Sequence, residues 1–96
     1  MKKLSETEVS SAVTALSGWS VKDAKLHREY KFPDFKHAMD FMVAAVPGIE
    51  HMDHHPEWAN VYNRVTVDLT THSAGGITQK DVDLAHLLEG LSVKFL

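Results

Sequence analysis

The chain has 96 residues, 44% of them apolar, and a formal net charge of −3 with histidine neutral, which makes one domain, residues 1–96, around one core. No basic run is longer than Lys2-Lys3, so neither nucleic acid nor an anionic membrane is expected as primary partner, because both bind clustered cations. Cysteine is absent, which excludes disulfides and thiol chemistry, and Met1 to Glu6 carries no apolar stretch, so a cytoplasmic protein without signal peptide or membrane span is expected.

Ser5-Glu6-Thr7-Glu8 has capping-box spacing, and Val9, Ala12, Val13 and Leu16 recur behind it at helical intervals. This predicts a first helix over about 6–16, ended by Ser17-Gly18. Trp19 to Val21 and Leu26 to Phe32 read as two strands around Lys22-Asp23-Ala24-Lys25. In the second strand Leu26, Tyr30 and Phe32 share one face, so His27 on the other reads as a solvated residue. Pro33 suits the first turn of a second helix, whose apolar stripe runs through Phe35, Ala38, Met39, Met42, Ala45, Val46 and Ile49. Pro47-Gly48 falls inside that stripe. An interior proline removes a backbone hydrogen bond at about 3 kcal/mol, so a kink or a restart is expected there. Pro56 disfavours helix at His55, so this helix should be over by about residue 53.

Trp58 to Tyr62 and Val65 to Thr71 read as two further strands, and Gly75-Gly76 breaks the chain before Thr78 opens a last helix. The order α-β-β-α-β-β-α favours an α+β domain: an antiparallel sheet with helices packed on one face. A core this small buries only roughly 60–65% of its unfolded surface and gains from self-association.

Seven histidines are unusual for this length, and His51, His54 and His55 fall in the run Glu50 to Pro56. His51 and His55 have the i, i+4 spacing of a helical metal pair, but Met52 stands where a metalloprotease motif has glutamate. Histidines at a helix C-terminus also cap carbonyls and suit the dipole, which explains His51 best. The third reading is acid–base catalysis, since imidazole exchanges protons near neutral pH. In an extended segment His54 and His55 point to opposite sides, so one can line a pocket while the other lies beneath it. His72 ends a strand on its polar face. Asp81 has the N3 position of a capping box in Thr78-Gln79-Lys80-Asp81, where it can cap the helix, orient an imidazole, or do both.

Glu50, His54-His55-Pro56, Tyr62, His72 and Asp81 form one ordered pattern. With the block Asp53 to Trp58, then Asn60-Val61-Tyr62-Asn63 and Thr71-His72, it resembles the signature of the pterin-4a-carbinolamine dehydratases, also called 4a-hydroxytetrahydrobiopterin dehydratases. Gly18-Trp19 and Phe41-Met42 extend the likeness over nearly the whole chain. The resemblance implies a four-stranded antiparallel sheet with three helices, assembled as a homodimer or homotetramer. It implies loss of water from 4a-hydroxytetrahydropterin in tetrahydrobiopterin recycling, with neither metal nor organic cofactor. It implies His54 and His72 as the acid–base pair, His55 as a residue binding and orienting the pterin, and Glu50 and Asp81 as groups that bind pterin nitrogens or fix imidazole tautomers. Pro56 and the segment Thr71, His72, Ser73 and Ala74 complete the pocket. In one respect the chain departs from the family, whose members run an unbroken helix into the histidines; a kink at Pro47-Gly48 would shift Glu50. Two alternatives stand beside this reading: a non-catalytic dimerisation or coactivator-type protein of the same fold, and a small metal-binding protein.

Overall fold

In the computed structural model, which describes all 96 residues, each helix starts on a polar side chain. Helix α1 (Glu6–Thr14) is opened by Ser5, whose Oγ accepts from the Glu8 N–H at 3.1 Å while Glu8 Oε1 accepts from the Ser5 N–H at 2.8 Å. The strands β1 (Ser20–Lys22) and β2 (Lys25–Lys31) follow. Helix α2 (Phe35–Met52) is opened by Asp34, which accepts from the His37 N–H at 2.8 Å. Pro33 therefore precedes the cap and is not in the first turn. Strands β3 (Glu57–Val61) and β4 (Arg64–Leu69) lead through a 3₁₀ turn (His72–Ala74) to helix α3 (Gln79–Ser92). The expected order α-β-β-α-β-β-α is the order found.

The restart expected at Pro47-Gly48 does not occur: α2 is one helix of 18 residues with Pro47 inside it. Pro47 is exposed, as is Val43, the residue whose carbonyl the proline leaves without a helical N–H. Gly48 has a packing reason, because a Cβ there would meet a Leu87 methyl at 2.5 Å, so the missing side chain lets α2 and α3 approach closely. The helix ends where Pro56 requires. Asp53 takes a left-handed conformation (φ 49°), and the His54 N–H reaches back to the Ile49 carbonyl at 3.4 Å, the wrap of a Schellman motif.

The sheet is antiparallel throughout, in the order β1-β2-β4-β3, with two hairpins joined through the central β2–β4 pair. Its inner face contributes Leu26, Tyr30, Val65, Val67 and Leu69 to a core closed by Ala38, Phe41, Ala45 and Ile49 of α2 and by Val82, Leu84, Ala85 and Leu88 of α3. Phe41 is fully buried, with ring centroids 5.1 Å from both Tyr30 and Phe32. Glu89 ties α3 to this side of the sheet. Its Oε1 accepts from Trp19 Nε1–H at 2.8 Å and from the Tyr30 hydroxyl at 2.7 Å. Burial, then that hydrogen bond, pushes the Tyr30 phenol well above its ordinary value.

His27 corrects the sequence reading, for it is only 8% exposed although it lies on the outer face. The register sets it opposite Asp68, whose Oδ1 is 2.7 Å from Nδ1, and Glu29 Oε2 lies 3.0 Å from Nε2. A neutral imidazole has one N–H and cannot donate to both carboxylates, so the arrangement favours the cation. The hydrogen bonds that the ring donates to Glu29 and then to Asp68 accordingly raise the His27 pKa above its ordinary value. A raised folded-state pKa stabilises fully below the unfolded value, and the effect is lost as pH rises through the folded value. His27→Gln should therefore lower unfolding free energy more at pH 6 than at pH 9, as read from denaturant titrations at both.

The β1–β2 turn is a second point of strain. Asp23 and Ala24 both have positive φ, 53° and 62°, as a two-residue type I′ hairpin requires. Alanine is disfavoured there. Ala24→Gly should raise unfolding free energy by about 0.5–1 kcal/mol, after the entropy glycine adds to the unfolded chain is deducted.

Candidate active site

The end of α2, the end of β4 and the start of α3 converge on Asp81. Thr78 and Asp81 form the capping box that opens α3, with the Thr78 N–H donating to Asp81 Oδ2 at 2.8 Å and the Lys80 N–H donating to Thr78 Oγ1 at 3.2 Å. Asp81 has no exposed surface, so its remaining lone pairs must also be met from within the protein. The Thr71 hydroxyl donates to Oδ2 at 2.8 Å, and His54 Nε2 lies 2.6 Å from Oδ1. Thr71 has a single proton and gives it to Asp81. Thr78 Oγ1, 2.8 Å away, therefore donates to Thr71, and the proton order of the network is set.

This order selects a tautomer for His54. In the neutral ring Nε2 carries the proton facing the carboxylate, so Nδ1 is the position left for proton exchange. Nδ1 has no protein partner, and no fully buried side-chain nitrogen or oxygen lacks one, so Nδ1 reaches the surface although the side chain is only 11% exposed. A held imidazole with one accessible nitrogen can accept or donate a proton there.

The other residues singled out from the sequence form two further groups. His55 points outward, 58% exposed, with Nε2 3.8 Å from Glu50 Oε1, an ion-pair distance longer than a hydrogen bond. The unbroken α2 carries Glu50 in its last turns, so the proline has not displaced it from the helix, yet it joins His55 and not the Asp81 network. His72 does not end a strand, since β4 stops at Leu69 and Thr71 turns to pair with Gly76. It opens the 3₁₀ turn, 80% exposed, with Nε2 2.9 Å from Glu57 Oε2. Ser73 and Ala74 complete that turn, and the Ala74 N–H donates to the Thr71 carbonyl at 3.0 Å. Pro56 lies between His55 and Glu57. His51 is exposed in the last turn of α2, and no three His, Asp or Glu side chains come together as metal ligands.

Two concave regions border this area. A cleft of about 290 Å³ is lined by Asp23, Ala24, Lys25, Thr70, His72 and the Gly75-Gly76 turn. A larger one of about 600 Å³ lies between α1 and Gly75 to Ile77, with none of the expected site residues on its wall. Sequence reasoning assigned no site role to Glu57, Lys25 or Thr78. For Glu57 a signal existed, because it directly follows His54-His55-Pro56; for Lys25 none did, because its nearness depends on the β2–β4 pairing.

The family model for pterin 4 alpha carbinolamine dehydratase matches residues 2–91. The chain belongs to this family. A relative from Solibacter usitatus, provisionally named a pterin-4-alpha-carbinolamine dehydratase, is 60% identical over 94% of this chain and 95% of its own. Another from Opitutus terrae, with the same provisional name, is 47% identical over 93% of each. The crystal structure of a transcriptional coactivator/pterin dehydratase from Brucella melitensis superposes with a TM-score of 0.92 at 42% identity, covering 95% of this chain and 99% of that one. Among pterin carbinolamine dehydratases this chain thus shares both the fold and most of its length with its relatives.

Asp81 is both cap and orienting group, so its loss should register in stability. Asp81→Ala should lower unfolding free energy by about 2–4 kcal/mol, from a lost cap together with hydrogen-bonding groups left unpaired. Thr71→Val should cost about 1 kcal/mol. Chemical denaturation of the two variants against wild type checks both.

Proposed function

We propose that the protein dehydrates 4a-hydroxytetrahydropterin to quinonoid dihydropterin by histidine general acid–base catalysis, in tetrahydrobiopterin recycling. The observation that carries this reading is the His54–Asp81 pair, with Thr71 on the same carboxylate. One carboxylate thereby links the segment bearing His54 to the residue directly before His72.

The chemistry needs two proton transfers. The C4a–O bond breaks as ring-nitrogen lone pairs push the hydroxyl out, and that oxygen must be protonated to leave as water. A ring proton is lost to a base, so the reaction consumes no net proton. His54 and His72 divide these two roles, each offering Nδ1 while a carboxylate holds Nε2. His55 and Glu50, both exposed, bind and orient the pterin, and Pro56 with Thr71 to Ala74 shapes the pocket wall. The exposed Phe35, Val43 and Val46 on α2 support assembly as a homodimer or homotetramer.

The Brucella neighbour's description couples a coactivator with a dehydratase. For this chain the feature that favours catalysis is not the carboxylate, which also caps α3, but the imidazole it holds with one ring nitrogen left at the surface. His54→Ala and His72→Ala should each lower kcat for 4a-hydroxytetrahydropterin dehydration by roughly 10²–10⁴, measured with chelator present. Unchanged turnover in both variants would remove the proposal.

A further inference from the structure

Glu57 is the carboxylate on His72 Nε2, and it makes the one hydrogen bond that the His72 imidazole has within the protein. It stands at the start of β3, immediately after Pro56, whose ring fixes its own φ. Its two carboxylate oxygens are used separately. Oε2 lies 2.9 Å from His72 Nε2, and Oε1 accepts from Lys25 Nζ at 2.5 Å. Lys25 and His72 line the same cleft of about 290 Å³, so Glu57 bridges two groups of one cavity wall. Three separate elements, β2, β3 and the 3₁₀ turn, supply the three side chains.

We propose that Glu57 is a positioning residue for His72, holding the imidazole by Nε2 so that Nδ1 faces the cleft and exchanges the proton with the pterin. The inference rests on the dehydratase reading, in which His72 is one of the two acid–base groups. Three observations favour positioning over a role in folding. First, the side chains of His72 and Glu57 are 80% and 42% exposed, and ion pairs so placed contribute little to stability. Second, the 3₁₀ turn bearing His72 has only three residues and is closed by backbone hydrogen bonds, so Glu57 supplies the one hydrogen bond that acts on the ring itself. Third, the arrangement repeats that of His54 and Asp81, with a carboxylate on Nε2 and no protein partner on Nδ1. Lys25 completes the device. Hydrogen bonds from Lys25, and next from His72, hold the Glu57 carboxyl below its ordinary range, so it stays an acceptor. By occupying Oε1, Lys25 also leaves only Oε2 for the imidazole.

The test is a double-mutant cycle on the full chain. Dehydration of 4a-hydroxytetrahydropterin is followed for wild type, Glu57→Ala, His72→Ala, the double variant and Glu57→Gln. A residue acting through His72 should lower kcat on the order of tenfold in Glu57→Ala with KM little changed, because a misplaced group loses rate before binding. The same substitution should change nothing once His72 is alanine, and Glu57→Gln, which still offers an oxygen, should keep most of the rate. The melting midpoint of Glu57→Ala should match wild type. An equal loss in both backgrounds, or no loss in either, overturns the proposal.

A second measurement does not depend on turnover. Three-bond NMR couplings should show one χ1 rotamer for His72 in the substrate-free wild type and averaging in Glu57→Ala. An averaged His72 in wild type overturns the proposal whatever the rates. A wild type without dehydratase activity overturns the functional reading instead, while the couplings still decide whether Glu57 holds His72.

Discussion

A carboxylate with no exposed surface is tolerable only if every oxygen has partners, and Asp81 draws its partners from three separate parts of the chain. The Thr78 N–H is local, three residues away. Thr71 comes from beyond β4, and His54 from the segment after α2. Because each of these donors would be left unpaired if the others moved, the carboxylate fixes the angle at which α3 starts, the course of the chain leaving the sheet and the ring plane of His54 together. Structural capping and tautomer selection are one arrangement here, since the oxygen that accepts from the imidazole N–H belongs to the group that caps the helix.

The protein pairs histidine with carboxylate at several depths, and solvent decides what each pairing can do. His27 is buried on the outer sheet face between two carboxylates, which favours its cation and commits both nitrogens. His54 is nearly as buried but has only one protein partner, so one nitrogen stays available. His72 is exposed, and its single contact to Glu57 restrains direction more than it adds stability. The same two residue types thus yield an imidazole locked between two carboxylates, an oriented imidazole and a tethered one.

The backbone around this region tolerates locally unfavourable choices because packing outweighs them. Pro47 sits within α2 on its exposed side, and Gly48 lies where α3 needs the space of a side chain. Asp53 accepts a left-handed conformation to end the helix, a conformation that aspartate tolerates better than most residues. That ending carries His54 out of the helix at once, while Pro56 prevents the helix from resuming. The position of the histidine follows from how its helix terminates.

Whatever depends on neighbours in the chain was readable from the residues. The capping boxes at Ser5 and Thr78, the end of α2 near residue 53, the two hairpins and the element order follow from side chains within four or five positions of one another. The opposed directions of His54 and His55 follow from extended geometry before Pro56, and the ordered pattern from Glu50 to Asp81 carried the family. Sequence could not show that Pro47 would fall on the solvent side of a continuous helix, nor that His27 would meet Asp68, because the β2–β4 register joins residues 41 positions apart. It could not show that Asp81 would reach His54 across 27 positions, or that Glu57 would link Lys25 to His72. Local spacing determines which hydrogen bonds a segment can make with itself. Only the packing of the helices on the sheet decides which distant donor meets a buried acceptor, and in this protein that decision sets the proton on His54.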